Sequence, residues 1–185
     1  KIILHIGGVY GDKPAAMERF INVFRTLPEE LKKRVVVEND ERSFNIEEVL
    51  TIAEKLFIPL TVGGGIREVD DVARLLAAGA DKVSVGSAGI SNPTLLTQIA
   101  NRFGNQVLVI SLDLKRSKVT KSGFTVTTHG GRQETNLDAL QWVQRCQELG
   151  AGELLVNSID ADGTRNGFDV EMLEVIRSLS KVPVI

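Results

Sequence analysis

The 185-residue chain has a single cysteine, Cys146, and this scarcity excludes an internal disulfide. No apolar run approaches the ~20 residues that cross a bilayer, and no signal peptide is visible. The formal net charge of −2 argues against a polyanionic partner held by bulk electrostatics. These absences favour a cytoplasmic location and argue against membrane and nucleic-acid partners. Cys146 lies in a helical pattern and is predicted to be a buried apolar residue rather than a nucleophile.

What the chain does contain is an alternation of β-rich runs with amphipathic segments. The pattern predicts seven strands, at residues 1–6, 34–38, 60–62, 82–85, 106–113, 153–157 and 182–185. It predicts helices at residues 14–27, 45–55, 69–78, 91–102, 137–149 and 170–179, and a hairpin over 119–128 that turns at Ser122-Gly123. Alternating βα units imply a parallel sheet, either open and doubly wound or closed as a barrel.

Two glycine-bearing loops follow predicted strands. Gly63-Gly64-Gly65 stands between a strand and a helix, where backbone N–H groups can approach a phosphate closely. Val85-Gly86-Ser87-Ala88 ends the next strand and adds backbone and hydroxyl donors. A tight βα turn requires glycine in any case, so a purely structural role is the alternative.

Carboxylates follow two further strands. Asp113 ends the strand that starts at Gln106, which is where general acid–base groups sit in a parallel barrel. Asp162-Gly163 lies in the loop after the 153–157 strand. Capping of the next helix or solvation of the loop explains either aspartate equally well from position alone.

The segment from Ile58-Pro-Leu-Thr-Val-Gly63-Gly64-Gly65-Ile66 onward resembles the cyclase subunit of imidazole glycerol phosphate synthase. The resemblance also covers the pattern Asp160-x-Asp162-Gly-Thr-x-x-Gly-x-Asp169. It implies a (β/α)8 barrel, of the TIM-barrel type, whose last helix–strand–helix portion is not in this sequence. An unclosed barrel would expose two strand edges, so closure by a partner chain or self-association is expected if the portion is absent.

The same resemblance assigns roles. It makes Asp113 one of two aspartates used for acid–base work on a phosphorylated aminoimidazole precursor. It implies two phosphate sites, one at Gly64, Gly65, Gly86 and Ser87 and one at Asp162 and Gly163. It also implies a glutaminase partner that delivers ammonia at the opposite end of the barrel, near Asp81, Lys82 and Glu153. No cofactor is implied.

Upstream, the chain resembles a different family. His5-Ile-Gly-Gly-Val-Tyr-Gly-Asp-Lys13 and Val35-Val-Val-Glu38-Asn-Asp40 are similar to the UV damage endonuclease family. In that family the residues matching His5 and Glu38 belong to a ring of divalent-metal ligands. Two donors do not make a tight metal site, so a hydrogen-bonded pair is the favoured interpretation. The alternative is a divalent metal ion bound by His5 and Glu38 with Asp113 as a third ligand. The second aspartate of the cyclase pair should end the first strand, where Gly7 or Gly8 stands instead.

These observations predict one recombined barrel domain over 1–185, with an endonuclease-like segment at 1–56 and a cyclase-like segment at 57–185. The main hypothesis is therefore a chimeric scaffold that retains the phosphate-binding loops and has weak or no catalysis. The first alternative is an active cyclase, a lyase of histidine biosynthesis that uses ammonia. The second alternative is a metal-dependent UV damage DNA endonuclease.

Overall fold

A computed structural model describes the backbone of residues 2–5 and 35–38, and backbone and side chains of residues 11–32, 48, 51–52, 54–55 and 59–185. The chain divides into two compact units. The first comprises Lys1–Gly65 with Asp70–Val83, and the second comprises Ile66–Val69 with Ser84–Ile185.

The first unit contains a parallel pair of strands joined through helices. Strand β1 (Ile2–His5) pairs in parallel with β2 (Val35–Glu38). Between them lie helices α1 (Lys13–Thr26) and α2 (Glu29–Lys32). Strand β3 (Thr61–Gly63) and helix α3 (Val69–Ala77) follow. A parallel pair needs such a crossover, because a tight turn can join antiparallel strands only.

Local chemistry fixes where helix α1 begins and which face it buries. The carboxylate of Asp12 accepts a hydrogen bond from the backbone N–H of Ala15 at 3.0 Å, and Pro14 stands in the first turn. An acidic N-cap followed by proline is a typical helix start. The carboxylate accepts a hydrogen bond from a free N–H group of the first turn, and proline has no N–H group that would need an acceptor. Ile21 and Phe24, three residues apart, form part of its buried face.

The second unit is built around strand β5 (Leu108–Arg116). On one side β5 pairs in parallel with β8 (Glu153–Ser158), and on the other it pairs antiparallel with β6 (Phe124–Thr128). Strand β7 (Gln133–Asp138) continues antiparallel to β6. Strand β4 (Lys82–Val85) spans the division between the units.

Helices separate these strands. They are α4 (Ser87–Ser91), α5 (Pro93–Phe103), a 3₁₀ turn (Asn105–Val107), α6 (Ala139–Glu148) and α7 (Val170–Leu179). Helix α6 packs on α7. Leu112 and Leu114 of β5 are fully buried, whereas Asp113 between them is half-buried. Because side chains alternate along a strand, Asp113 stands on the face opposite to the two leucines.

The predicted alternation of strands and helices is confirmed over most of the described residues. Of the predicted helix at 45–55, residues 48, 51, 52, 54 and 55 are helical and the others lie outside the described residues. The predicted hairpin over 119–128 is wrong in its bounds. Its arms are β5 and β6, and Ser122-Gly123 lies in the turn between them. Residues 182–185 form no strand, only an isolated parallel bridge between Leu154 and Val184.

Four elements were not predicted: the short helices α2 and α4, the 3₁₀ turn Asn105–Val107, and strand β7. The described residues form eight strands: six of the seven predicted strands, β6 as an arm of the predicted hairpin, and β7. No helix among them is long and apolar enough to cross a membrane. Cys146 is buried in helix α6, as predicted, and burial raises the pKa of its thiol to about 12.

Candidate functional site

Asp113 lies where β5 meets both of its neighbours. The register places it opposite Asn157 of β8 and opposite Thr127 of β6. The Asn157 side-chain amide Nδ2 donates to Asp113 Oδ1 at 3.2 Å. The Thr127 hydroxyl donates to the backbone carbonyl of Asp113 at 2.9 Å. Asp113 is therefore held from both sides of its strand, its carboxylate by Asn157 and its backbone carbonyl by Thr127.

The environment of Asp113 favours its protonated form. Burial is the main cause of a raised pKa for this carboxyl, and the negative charge of Asp162 raises it further. The hydrogen bond from Asn157 opposes both effects and only partly offsets them. A raised pKa makes the carboxylate a stronger base, and general acid–base catalysis requires a group that both takes and gives a proton.

The loop after β8 carries the second predicted phosphate site. Gly163 has a φ of 72°, in the left-handed region that favours glycine, and a Cβ built there would meet nothing within 4 Å. Asp162 is exposed, and its backbone N–H donates to the Ser158 carbonyl at 2.9 Å. The loop therefore presents Gly163 to open space while a turn holds its first residues.

Arg116 ties both ends of this loop to strand β5. Its backbone N–H donates to Asp160 Oδ2 at 2.8 Å, and its guanidinium donates to Asp169 Oδ1 at 2.8 Å. Asp169 Oδ2 accepts from the Ser158 hydroxyl at 3.0 Å, and Asp169 also caps helix α7 through the backbone N–H of Met172. These contacts fix the loop relative to Asp113.

The loop after β4 is held by the β6–β7 hairpin. The Ser87 hydroxyl oxygen accepts a hydrogen bond from the backbone N–H of His129 at 3.1 Å. His129 has a φ of 56°, which is uncommon for a residue with a side chain. A Cβ on Gly86 would lie 3.6 Å from atoms of Ser111, which is ordinary contact. Because the Ser87 hydroxyl acts as an acceptor in this bond, its O–H can donate a hydrogen bond to another partner.

Gly64 and Gly65 follow strand β3 with φ values of 87° and 71°. Both are exposed, and a Cβ on Gly65 would meet nothing within 4 Å. The backbone conformation, not crowding, therefore accounts for glycine at Gly65. These glycines belong to the first unit, whereas Gly86 and Ser87 belong to the second. A joint phosphate site formed by all four stays a prediction.

His5 and Glu38 are register partners in the parallel pair β1–β2. The backbone thus places the two residues side by side, as predicted, and their side chains lie outside the described ones. Among the described residues, no group of three or more histidine, cysteine, aspartate and glutamate side chains is arranged to hold a metal ion. Gly7 and Gly8 also lie outside the described residues.

Sequence reasoning missed Asn157, Arg116 and the role of Asp169. Asp169 belongs to the pattern that carried the cyclase resemblance, and its position just before an amphipathic segment is a typical N-cap signal. Asn157 is a polar residue at the end of the predicted strand 153–157, as Asp113 is at the end of the predicted strand 106–113. That shared position was the one available sign that the two meet.

Strands followed by helices, with a half-buried carboxylate in the C-terminal half of strand β5, define an α/β protein with a parallel-rich sheet. A family model described as "Histidine biosynthesis protein" matches residues 8–185. The chain belongs to this family of histidine biosynthesis proteins, and the predicted TIM-barrel-type fold class is thereby confirmed.

Relatives named imidazole glycerol phosphate synthase subunit HisF are similar to the chain. The protein of Leifsonia xyli subsp. xyli is 64% identical over 146 residues, which is 79% of this chain and 58% of the relative. Those of Bifidobacterium adolescentis and Thermobifida fusca are 53% and 52% identical over 154 residues, 82% of this chain and 60% of each relative. The chain therefore spans about three fifths of the length of these relatives.

The predicted junction between an endonuclease-like segment at 1–56 and a cyclase-like segment at 57–185 is not supported by these findings. The family model begins at residue 8 and runs through this junction without a break. Neither an endonuclease-like origin for residues 1–56 nor an inactive chimeric scaffold receives support. The cyclase alternative fits the similarity better than the chimeric hypothesis does.

Proposed function

We infer that the chain acts as a cyclase of histidine biosynthesis, in which Asp113 transfers protons on a phosphorylated aminoimidazole precursor. The observation that carries this proposal is the placement of Asp113 in the C-terminal half of β5, which runs on to Arg116, at the point where β5 pairs with both β8 and β6. Its carboxyl is half-buried, hydrogen-bonded by Asn157 and has a raised pKa. The similarity to HisF proteins supplies the substrate class.

Three loops are proposed to hold the two phosphate ends of that substrate. The left-handed backbone at Gly64 and Gly65 and the open space beside Gly163 support close approach of an anion to N–H groups. The Ser87 hydroxyl, fixed by the backbone of His129, is a further donor. Asp162 would repel a phosphate, so its proposed role is to hold the loop or a substrate hydroxyl.

A glutaminase partner is proposed to supply the ammonia, because the relatives are named as subunits of a synthase. Glu153 begins β8, four residues before Asn157, and is only 8% exposed. At about 3.3 Å per residue the two positions are separated by roughly 13 Å along the strand. Ammonia entering near Glu153 would thus travel the length of the strand to reach Asp113.

Calorimetric titration with the family's bisphosphate substrate, followed by a turnover assay with free ammonia, tests the proposal. The expected result is one-to-one binding and formation of imidazole glycerol phosphate. Asp113→Asn should lower turnover by about 10²–10⁴-fold with little loss of binding, since it removes a proton-transfer group and keeps its shape. Glu174→Gln, an equivalent change at an exposed helical position, is the control.

The outcomes separate the hypotheses. Turnover that survives Asp113→Asn would contradict the role of this carboxyl. Binding without turnover in the unaltered protein would indicate a phosphate-binding scaffold instead. An absence of both would contradict the proposal as a whole.

A further inference from the structure

Asn157 is the nearest described polar partner of the Asp113 carboxyl. The two residues are 44 positions apart in the chain, and the parallel register of β5 and β8 brings them side by side. Asn157 Nδ2 lies 3.2 Å from Asp113 Oδ1 and both residues are half-buried. Because an amide N–H can only donate, Oδ1 is held as an acceptor.

Among the residues that the structure describes, none donates a hydrogen bond to the second carboxylate oxygen of Asp113, Oδ2. On the β6 side, the neutral Thr127 hydroxyl reaches the Asp113 backbone carbonyl, not the carboxyl. On the β8 side stands the neutral amide of Asn157. The charged group that acts on Asp113 comes from the loop after β8 and is Asp162. Within the described part of the chain, the Asp113 carboxyl therefore accepts a hydrogen bond at Oδ1 from Asn157 and is influenced by the negative charge of Asp162.

We propose that Asn157 is a positioning residue that holds Oδ1 of Asp113, so that Oδ2 is the oxygen exchanging a proton with substrate. When Asp113 gives its Oδ2 proton to the substrate, the carboxylate left behind keeps the Asn157 N–H on Oδ1. When it takes a proton back, the O–H bond forms again at Oδ2. The inference rests on the proposed function, because it presumes that Asp113 is the acid–base group.

Two variants of Asn157 distinguish the loss of its hydrogen bond to Asp113 from the addition of a charge beside Asp113. Asn157→Ala removes the donor and its contacts. Asn157→Asp keeps the side-chain shape, which protects the fold, but replaces the donor by an acceptor and adds a like charge next to Asp113. Asn101→Ala, at an exposed position of helix α5, is the matched control.

The first measurement is the titration of the Asp113 carboxyl by ¹³C NMR, with Asp113→Asn to assign its signal. Both Asn157 variants should raise the pKa of Asp113, because a hydrogen bond that favours the ionised form is lost while burial and Asp162 remain. This readout needs no turnover. It therefore still decides the inference if the protein proves to have no cyclase activity.

The second measurement is the pH–rate profile with ammonia. The limb that reports Asp113 should move to higher pH in both variants, and kcat should fall by up to about 100-fold with KM little changed. A purely structural role would lower activity without moving that limb. An unchanged Asp113 titration and an unmoved limb in Asn157→Ala would overturn the inference.

Discussion

Removal of the Asp138 carboxylate should detach the start of helix α6 from the turn between β5 and β6. Asp138 Oδ1 accepts from the backbone N–H groups of Leu140 at 3.0 Å and Gln141 at 3.3 Å, which caps the helix. Asp138 Oδ2 accepts from the backbone N–H of Ser122 at 2.8 Å, and Ser122 lies in that turn. One buried side chain thus joins two segments.

The expected cost has two parts. Loss of an aspartate N-cap costs about 1 kcal/mol. Leaving the half-buried Ser122 N–H without its acceptor adds about 1 kcal/mol, the low end of the usual range, because water can partly reach it. Asp138→Ala should therefore lower the free energy of unfolding by about 2 kcal/mol. Asp138→Ser should lose about half of that, since serine is a good N-cap but is too short to reach the turn.

Urea unfolding followed by the fluorescence of Trp142 is the suitable assay. Trp142 is the one tryptophan of the chain, lies in helix α6 and is 6% exposed. A loss of 2 kcal/mol corresponds to a midpoint lower by about 1 M urea. Glu174→Ala, at an exposed position of helix α7, should leave the midpoint unchanged.

The pH dependence provides a second check. Burial disfavours the charge of Asp138, but the hydrogen bonds from Ser122, Gln141 and Leu140 outweigh it and lower the pKa of the carboxyl. The stabilisation is therefore complete above the ordinary pKa of about 4 and is lost as the pH falls through the lowered value. The difference in urea midpoint between the unaltered protein and Asp138→Ala should become smaller in that acidic range. Equal midpoints at pH 7, or a gap independent of pH, would refute the reasoning.

Two further predictions concern single residues. Gly65→Ala should destabilise the protein by about 1–2 kcal/mol in thermal unfolding, because its φ of 71° is unfavourable for a residue with a Cβ. Gly65→Asn should cost less, since asparagine tolerates this conformation, and equal effects of the two would contradict a backbone cause. The Cys146 thiol, buried and with a pKa raised to about 12, should resist a thiol-specific alkylating reagent at pH 8 and react fully in urea. Mass spectrometry measures both states, and rapid labelling of the folded protein would show that the site opens.

Local signals in the sequence determined most of the secondary structure. Asp12 and Pro14 mark the start of helix α1, and Gly79, with a φ of 106°, follows the end of helix α3. These features act within one turn of chain, so residue type and spacing suffice to predict them. The prediction that Asp113 and the glycine loops lie toward the C-terminal ends of strands follows from the same alternation of strands and helices. Strand β5, however, runs three residues past Asp113, because residues 114–116 pair with β6.

The tertiary structure decided which strand ends meet. Strand β7 has a burial pattern with mostly exposed and half-buried residues, so its sequence gives little sign of a strand, and pairing with β6 creates it. Asn157 reaches Asp113 because β8 pairs with β5 in one particular register. A shift by one residue would turn Asn157 to the other face of the sheet. The sequence by itself therefore determined the elements and the candidate carboxylate. Only long-range pairing, which depends on contacts between distant segments, decided the partners of that carboxylate and hence its pKa.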